Sequence, residues 1–367
     1  MCGIAGFVND MPIDVKCPVL QRMTDMIAHR GPDSEGHYID EHAALGHRRL
    51  SIIDLGGGQQ PIYNEDGSKV ITFNGEIYNY QTLREELIAA GHTFTTKSDT
   101  EVLLHGYEQW GVDLLQRVRG MFTFVIWDKN KQELFGARDH FGIKPFYYAK
   151  MNGTFMYASE IKSLLRHPDF VKELNAEALK PYMTFQYPAI GETFFKGVYK
   201  LPEGHYFTYR DGKMDIHRYY DEDFREGKQK LGELVNSIDQ TVCDSVKAHQ
   251  IADVEVGSFL SSGVDSSYVA AVARPQHTYS IGFGKGTYNE SQQAGELAEL
   301  LKLNNTAESL TDEEAFAAFP RIQWHLDEPD SNPSCVPLYF LSALAAKDVK
   351  VVLSGEGADE LFAGYID

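Results

Sequence analysis

Cys2 stands directly behind the initiator Met1. A small second residue usually permits removal of the methionine, which would leave one residue carrying both a thiol and a free α-amino group. An α-amine titrates at about 7.7–8.0, close enough to neutral to accept the thiol proton. Nucleophile and base would then belong to a single residue. A second group of residues reads as an anion site. In SFLSSGVDSS, residues 258–267, a strand leads through a loop of small residues into a helix. Backbone N–H groups and hydroxyls there face whatever anion rests on the helix N-terminus. The lysine and four-residue spacer of a Walker A loop are missing. LSGEGADELFAGY, residues 353–365, also follows a strand and is acidic, as a divalent cation beside polyphosphate requires.

Two kinds of scaffold must hold these groups. Up to about residue 220 the pattern is short strands with helices between them. MCGIAGFV, ALGHRRLSIID and KVITFNG read as strands, and Leu20, Met23, Met26 and Ile27 recur at helical spacing. Leu83 and Leu87 line a helix that Gly91 ends. Ser98 and Glu101 have capping-box spacing and open a helix running to Gly111. MFTFVIWD with QELFGARD, FYYAK with TFMYA across Asn152-Gly153, and a third pair turning at Asp211-Gly212 read as hairpins. This half is α+β with mostly antiparallel strands. DEDFREGKQK, residues 221–230, reads as a linker. Beyond it, Leu231, Leu234, Val235, Ile238 and Val242 mark one face of a long helix. VEVGSFL, TYSIGF and VKVVLSG then alternate with helical segments, the rhythm of a parallel sheet with ligands at its carboxyl ends.

Bulk properties agree with two domains, since 367 residues exceed what one core usually organises. A net charge of -19 argues against nucleic acid as a partner. No apolar stretch reaches membrane-spanning length, and the N-terminus lacks a signal-peptide pattern. Cys2, Cys17, Cys243 and Cys335 form no close pair, so neither a zinc site nor a disulfide framework is expected. The histidines show no metal spacing, and His29 and His47 read as structural groups. A reducing cytoplasm is the expected location.

MCGIAGF, HRGPD (29–33), HRRLSIID (47–54), NGEIYN (74–79) and SDTE (98–101) occur in this order, followed by GMFTFVIWD and ARDHFGIKPFYY. Together they resemble the class II glutamine amidotransferases over about the first 200 residues. SFLSSGVDSS resembles the pyrophosphate loop of N-type ATP pyrophosphatases, whose usual form is SGGxDS. LSGEGADELFAGY resembles the matching block of the asparagine synthetases. The resemblance implies a glutaminase domain of N-terminal-nucleophile fold at residues 1–215, with sandwiched β-sheets and helices. A parallel-sheet α/β ATP pyrophosphatase domain is implied at 228–367.

The activity implied is asparagine synthesis from aspartate, glutamine and ATP through β-aspartyl-AMP, with Mg²⁺ and an internal ammonia route. By resemblance Cys2 is the nucleophile, and the Asn74 side chain and Gly75 N–H form the oxyanion hole. Arg49 holds the α-carboxylate of glutamine through its planar fork, with Arg48 the competing candidate. Glu76 and Asp99 take the α-amino group, helped by backbone carbonyls near Ile53. In the second domain Leu260 and Ile281 line the adenine or ribose. Ser261, Ser262, Gly263 and Ser266 form the phosphate loop, and Ser354 and Gly355 meet the nucleotide. Glu356 meets the aspartyl-adenylate, and Asp265 and Asp359 hold Mg²⁺. Ser262 stands where the family usually has glycine, and its Cβ crowds the phosphates if that position needs positive φ.

Glucosamine-6-phosphate synthase and glutamine phosphoribosylpyrophosphate amidotransferase share only the first half. β-Lactam synthetases share the layout but tend to lose the nucleophile. Relatives of the bacterial type are often dimers. A family member continues past GEGADELFAGY through a long helical stretch that supplies a lysine and an arginine to the polyphosphate. The 367 residues alone are therefore expected to hydrolyse glutamine, form little asparagine and expose apolar surface on helices such as CVPLYFLSALAA. The alternative is a chain that acts only as a glutaminase or as a non-catalytic interaction module.

Overall fold

Asn152-Gly153 and Asp211-Gly212 each place two consecutive residues at positive φ, 49° with 84° and 51° with 74°. That backbone matches the twist of two paired strands, so both dipeptides close hairpins as expected. The computed structural model describes residues 1–225, 227–283 and 290–364. Tyr365, the last residue of the LSGEGADELFAGY block, lies outside the described residues. The chain forms two compact units, Met1–Phe224 and Arg225–Asp367.

The first unit contains β1 (Gly3–Val8), β2 (Ser34–Ile39), β3 (Ala43–Arg49), β4 (Ile62–Tyr63), β5 (Lys69–Ile77) and β6 (Gly120–Asp128). It continues with β7 (Glu133–Arg138), β8 (Tyr147–Met151), β9 (Thr154–Ala158), β10 (Val198–Lys200), β11 (His205–Arg210) and β12 (Lys213–Arg218). Its helices are α1 (Ile13–Asp25), α2 (Tyr80–Ala89), α3 (Asp99–Trp110), α4 (Ile161–Leu164) and α5 (Leu179–Phe185). One sheet has the order β10-β8-β9-β1-β3-β2, the other β12-β11-β7-β6-β5-β4. Every strand pair in both is antiparallel.

Side chains alternate across each strand, and both faces of the central strands are covered. Ile4, Leu45, Val125, Trp127, Phe155 and Phe207 meet between the sheets. Ala5 and Phe7 turn the other way, onto Leu20 and Met23 of α1. Phe73, Phe122, Phe124 and Ile126 turn outward onto Leu83 and Leu87 of α2 and Val102, Leu103 and Leu104 of α3. MFTFVIWD is apolar at nearly every position because no face of β6 meets water. The result is helix, sheet, sheet, helix, the sandwich of the N-terminal-nucleophile fold.

Two expectations about local structure need adjusting. HRRLSIID does not stay extended: β3 stops at Arg49, whose guanidinium reaches forward to the Ile53 and Asp54 carbonyls and curls the chain. At α3, Ser98 Oγ accepts the Thr100 N–H, but Glu101 does not return the bond to the N-cap. Its carboxylate takes the N–H groups of Thr95 and Thr96 instead.

The second unit holds α6 (Leu231–His249), β13 (Val256–Phe259), α7 (Val264–Ala273), β14 (His277–Phe283), α8 (Glu290–Leu301) and β15 (Asn304–Leu310). After these come α9 (Asp312–Leu326), α10 (Cys335–Ala345), β16 (Val351–Leu353) and α11 (Ala358–Phe362). Its sheet is parallel, order β15-β14-β13-β16. Ala270 of α7 and Ala294 and Ala298 of α8 pack together, while Tyr279 packs on Leu344 and Ala345 of α10. The apolar face read on α6 is covered only toward its C-terminal end, where Val242 and Val246 meet Val269 and Ala273. Leu231 and Val235 are exposed, as are Phe316 of α9 and Leu338 of α10. All four cysteines are free. No described helix is long and apolar enough to cross a membrane.

Candidate functional site

In the first unit the ends of β1, β3 and β5 carry the groups of interest. Cys2 directly precedes β1, which pairs with β3 from Gly3 opposite Arg48. Cys2 Sγ accepts the Leu50 N–H at 3.4 Å. Burial pushes the thiol pKa up, and that hydrogen bond opposes the rise. Burial lowers the adjacent Met1 amine to about 5; Cys2 opposes this, and Arg30 and Lys144 add to it. Met1 as a residue is 53% exposed, so the burial belongs to the amine end. An amine so perturbed is a neutral base at pH 7.

Asn74 lies on β5 and is 1% exposed, and its Nδ2 has no hydrogen-bond partner. Nearly every buried donor finds a partner, so an orphaned amide aimed into a site calls for an acceptor from outside the protein. Gly75 follows. A Cβ there would collide with the Met121 carbonyl and come within 2.7 Å of the Phe122 Cα. Only glycine fits the β5–β6 pairing at this point.

Arg48 and Arg49 point to opposite faces of β3. Arg48 pairs with Asp25 and Glu35, so its charge is spent on the outer side. Arg49 is buried, and its Nη2 donates to the Ile53 and Asp54 carbonyls at 3.0 and 2.7 Å. The Ile53 carbonyl thus already serves Arg49. Gly58 leaves room for this, because a Cβ there would sit 2.7 Å from Nη2. Asp99 is buried at the start of α3 and accepts the Ile77 N–H at 2.9 Å. Burial raises its pKa, against that hydrogen bond. Glu76 is raised well above the usual carboxylate range, by burial and then by the Asp99 charge, while Lys144 and the amine counter it. Two carboxylates that resist ionising together are satisfied by a cation placed between them.

Several residues here carried no signal of their own in the sequence. Arg30 Nε donates to the Cys2 carbonyl at 2.9 Å, and its Nη1 meets Glu160 at 3.0 Å. Burial alone would raise Glu160; the His29 hydrogen bond and the charges of Arg30 and Lys162 hold it at about 2. His29 is thus a structural group, as expected, and orients the carboxylate that orients Arg30. His47 is held neutral: burial lowers it to about 3 while Nε2 meets the Phe73 carbonyl. Lys144 is lowered to about 8, by burial and then by Arg30. Asp139 shapes the loop that carries Lys144, accepting the Ile143 and Lys144 N–H groups at 2.9 Å each. Arg30 and Lys144 lie inside HRGPD and HFGIKP, where those blocks could have pointed to them; Glu160 lies in neither.

In the second unit β13 and β16 are parallel neighbours, with Ser258 opposite Leu353. Both strands end at the same edge, so their following loops lie side by side. Ser261 Oγ meets Ser266 Oγ at 2.7 Å and accepts the Gly263 N–H at 3.1 Å. Gly263 caps α7 with no side-chain bond, leaving the helix N-terminus open. Ser262 is not among the residues at positive φ, so its Cβ is tolerated by the backbone. Gly355 presses on the same turn, where a Cβ would come 2.8 Å from the Ser266 N and 2.9 Å from the Asp265 Cβ. Asp265 lies in the first turn of α7 and Asp359 in the first turn of α11. Glu356 is exposed, and its N–H donates to Ser354 Oγ. Ile281 lies on β14 and is partly exposed. The Leu260 side chain is buried against Ala270, Ala294 and Ala298, and its N–H donates to the Tyr279 carbonyl. Its carbonyl accepts from Ser280 Oγ at 2.7 Å, so both backbone groups of Leu260 are engaged within the protein.

The glutamine amidotransferase domain family matches residues 1–220, and the asparagine synthase family matches residues 237–366. Asparagine synthetase [glutamine-hydrolyzing] 1 of Bacillus subtilis is 44% identical, over 100% of this chain and 59% of its own. Putative asparagine synthetase [glutamine-hydrolyzing] 2 of Methanocaldococcus jannaschii is 34% identical, over 100% of this chain and 76% of its own. A solved structure of glutamine phosphoribosylpyrophosphate amidotransferase from B. subtilis is similar at 15% identity and a TM-score of 0.45, over 83% of this chain and 65% of that one. The chain spans about three fifths of the length of the first of these relatives, 59%.

Proposed function

Because the chain belongs to the family of glutamine-hydrolysing asparagine synthetases, we propose that it makes asparagine from aspartate, glutamine and ATP in a reducing cytoplasm. The observation that carries the glutaminase half is the unpartnered Nδ2 of buried Asn74 beside Gly75. With Met1 removed, the amine of Cys2 takes the thiol proton, and the sulfur attacks the glutamine side-chain carbonyl. Negative charge develops on that oxygen, where Asn74 Nδ2 and the Gly75 N–H stabilise it. The C–N bond breaks, the amine returns its proton to the leaving ammonia, and a thioester remains for water to hydrolyse to glutamate. Arg49 holds the α-carboxylate, and Glu76 and Asp99 hold the α-ammonium near Ile53.

In the domain expected at 228–367, ATP is a substrate. Its phosphates lie over Ser261, Ser262, Gly263 and Ser266 at the α7 N-terminus, with Ser354 and Gly355 beside them. Asp265 and Asp359 offer the carboxylate oxygens that Mg²⁺ takes together with phosphate. Held there, Mg²⁺ would supply positive charge against the departing pyrophosphate. Glu356 faces the activated aspartate, β-aspartyl-AMP, which ammonia converts to asparagine and AMP. The relatives match through both halves, which favours this reading over a glutaminase acting alone or an interaction module.

The test is to supply the purified protein with glutamine, aspartate, ATP and Mg²⁺ and measure four products. Glutamate, asparagine, AMP and pyrophosphate should accumulate together. Glutamate release without AMP or asparagine, the outcome expected from the sequence for these 367 residues alone, overturns the synthetase reading. Within the glutaminase half, Arg49→Lys keeps the charge but loses the bidentate fork. It should raise KM for glutamine more than it lowers kcat; an unchanged KM would remove Arg49 from the carboxylate site.

A further inference from the structure

His92 and His105 have no metal-ligand spacing in the sequence, yet the fold carries them to one point. The turn after β4 brings Glu65, the segment after α2 brings His92, and α3 brings His105 and Glu108. His92 Nδ1 is 3.2 Å from Glu65 Oε1. His105 Nδ1 is 3.4 Å from Glu65 Oε2 and 3.1 Å from Glu108 Oε2. One donor atom from each of the four residues lies within 4.8 Å of the others. Ligand atoms about 2.0–2.1 Å from a tetrahedral zinc ion sit about 3.3–3.4 Å from one another. Three of the contacts, at 3.1 to 3.4 Å, lie near that edge length, and the remaining pairs, within 4.8 Å, draw in around a bound ion.

Groups around the four hold them in ligating orientation. His92 Nε2 lies 3.3 Å from Gln109 Oε1, which leaves Nδ1 to face inward. His105 Nε2 is buried without an aligned partner, with Glu101 Oε1 3.5 Å away. Glu101 is itself fixed by Thr95 and Thr96. Glu108 Oε1 accepts from Asn64 Nδ2 at 2.7 Å, and Glu65 Oε1 accepts the Thr93 N–H at 3.1 Å. Carboxylate or amide acceptors behind each imidazole, and donors behind each carboxylate, are the surroundings that metal ligands typically have. Burial lowers His105, but its contacts with Glu101 and Glu108 raise it to about 9, so an incoming ion must displace that proton. The two carboxylates then cancel the charge of a divalent ion. The set mixes nitrogen with oxygen, which suits zinc and its neighbours over magnesium or calcium. Access is open from one side, since the Glu65 side chain is 38% exposed while that of His105 is 1% exposed.

We propose that Glu65, His92, His105 and Glu108 bind one divalent ion of the zinc type, tying the β4–β5 turn to the α2–α3 connection. None of the four belongs to the glutamine or ATP sites. The ion is structural: its effect is to close three segments of chain around α3.

The test uses the full chain in a Cys2→Ala background, so that the active thiol captures no metal. After dialysis against chelator, Zn²⁺ is titrated in competition with a chromophoric chelator. Co²⁺ is added separately and followed by its visible absorption. One equivalent of either ion should bind per chain, Co²⁺ should give the intense bands of a four-coordinate site, and Zn²⁺ should raise the melting temperature. His92→Gln and Glu65→Gln, both at partly open positions, should weaken binding by at least about 10–100-fold and abolish the melting shift. Gln109→Ala should weaken it less. Absence of stoichiometric binding in the parent overturns the proposal. So does binding that survives both His92→Gln and Glu65→Gln, which would be capture by the remaining thiols.

Discussion

Cys2→Ala is expected to reduce glutamine hydrolysis by roughly 10⁶-fold, the scale on which removal of a hydrolase nucleophile acts. The loss is chemical because no other group is positioned to form the thioester. Cys2 Sγ touches the backbone of Leu50 at 3.4 Å and little else that would be missed. The β1–β3 pairing begins at Gly3 and does not depend on the thiol. Circular dichroism and the melting temperature should therefore match the parent while glutamate release falls to the assay floor. Undiminished hydrolysis would remove Cys2 from the mechanism. Retention of Met1, read by intact mass, should have a similar effect, since the Cys2 amine would then be an amide nitrogen without basicity.

Asn74→Ala should lower kcat for glutamine hydrolysis by about 10²–10³-fold and leave KM nearly unchanged. A donor that acts only on the developing oxyanion contributes to the transition state and little to substrate binding. Stability should separate this from a structural defect. Breaking a buried hydrogen bond usually costs about 0.5–1.5 kcal/mol net. Asn74 Nδ2 makes none in the free protein, so that loss does not arise, and removing the orphaned donor relieves a desolvation penalty. The melting temperature should stay level or rise as activity falls. A change confined to KM would move Asn74 from the oxyanion to the binding of ground-state glutamine.

The α+β and parallel α/β halves were legible because local rules and the global fold agree. Positive-φ dipeptides at Asn152-Gly153 and Asp211-Gly212 close hairpins wherever the flanking strands alternate, and these did. Gly91 and Gly111 end α2 and α3 because both take positive φ, 104° and 58°. RLSIID was less legible. Its composition favours a strand, but a buried guanidinium must be satisfied, and Arg49 bends the chain to reach carbonyls four and five residues on. The apolar stripe on α6 was read correctly as helix, yet which part of it is covered depends on where α7 packs.

At the sites, the sequence by itself determined which residue types were available and in what order: a thiol at position 2, an Asn-Gly pair, an arginine pair and two small-residue loops after strands. It favoured Arg49 over Arg48 only by the resemblance of the RLSI block. Strand alternation sends them to opposite faces, but only the second sheet and α3 decide which face is interior. It could not reveal the Arg30–Glu160 contact, which spans 130 residues, or the approach of Gly355 to Ser266 across two parallel strands. The same holds for His92 and His105, whose spacing resembles no metal motif. Motifs record neighbours along the chain. Pairings of this kind are set by sheet register and helix packing, where burial makes each unsatisfied charge or donor costly enough to select one arrangement.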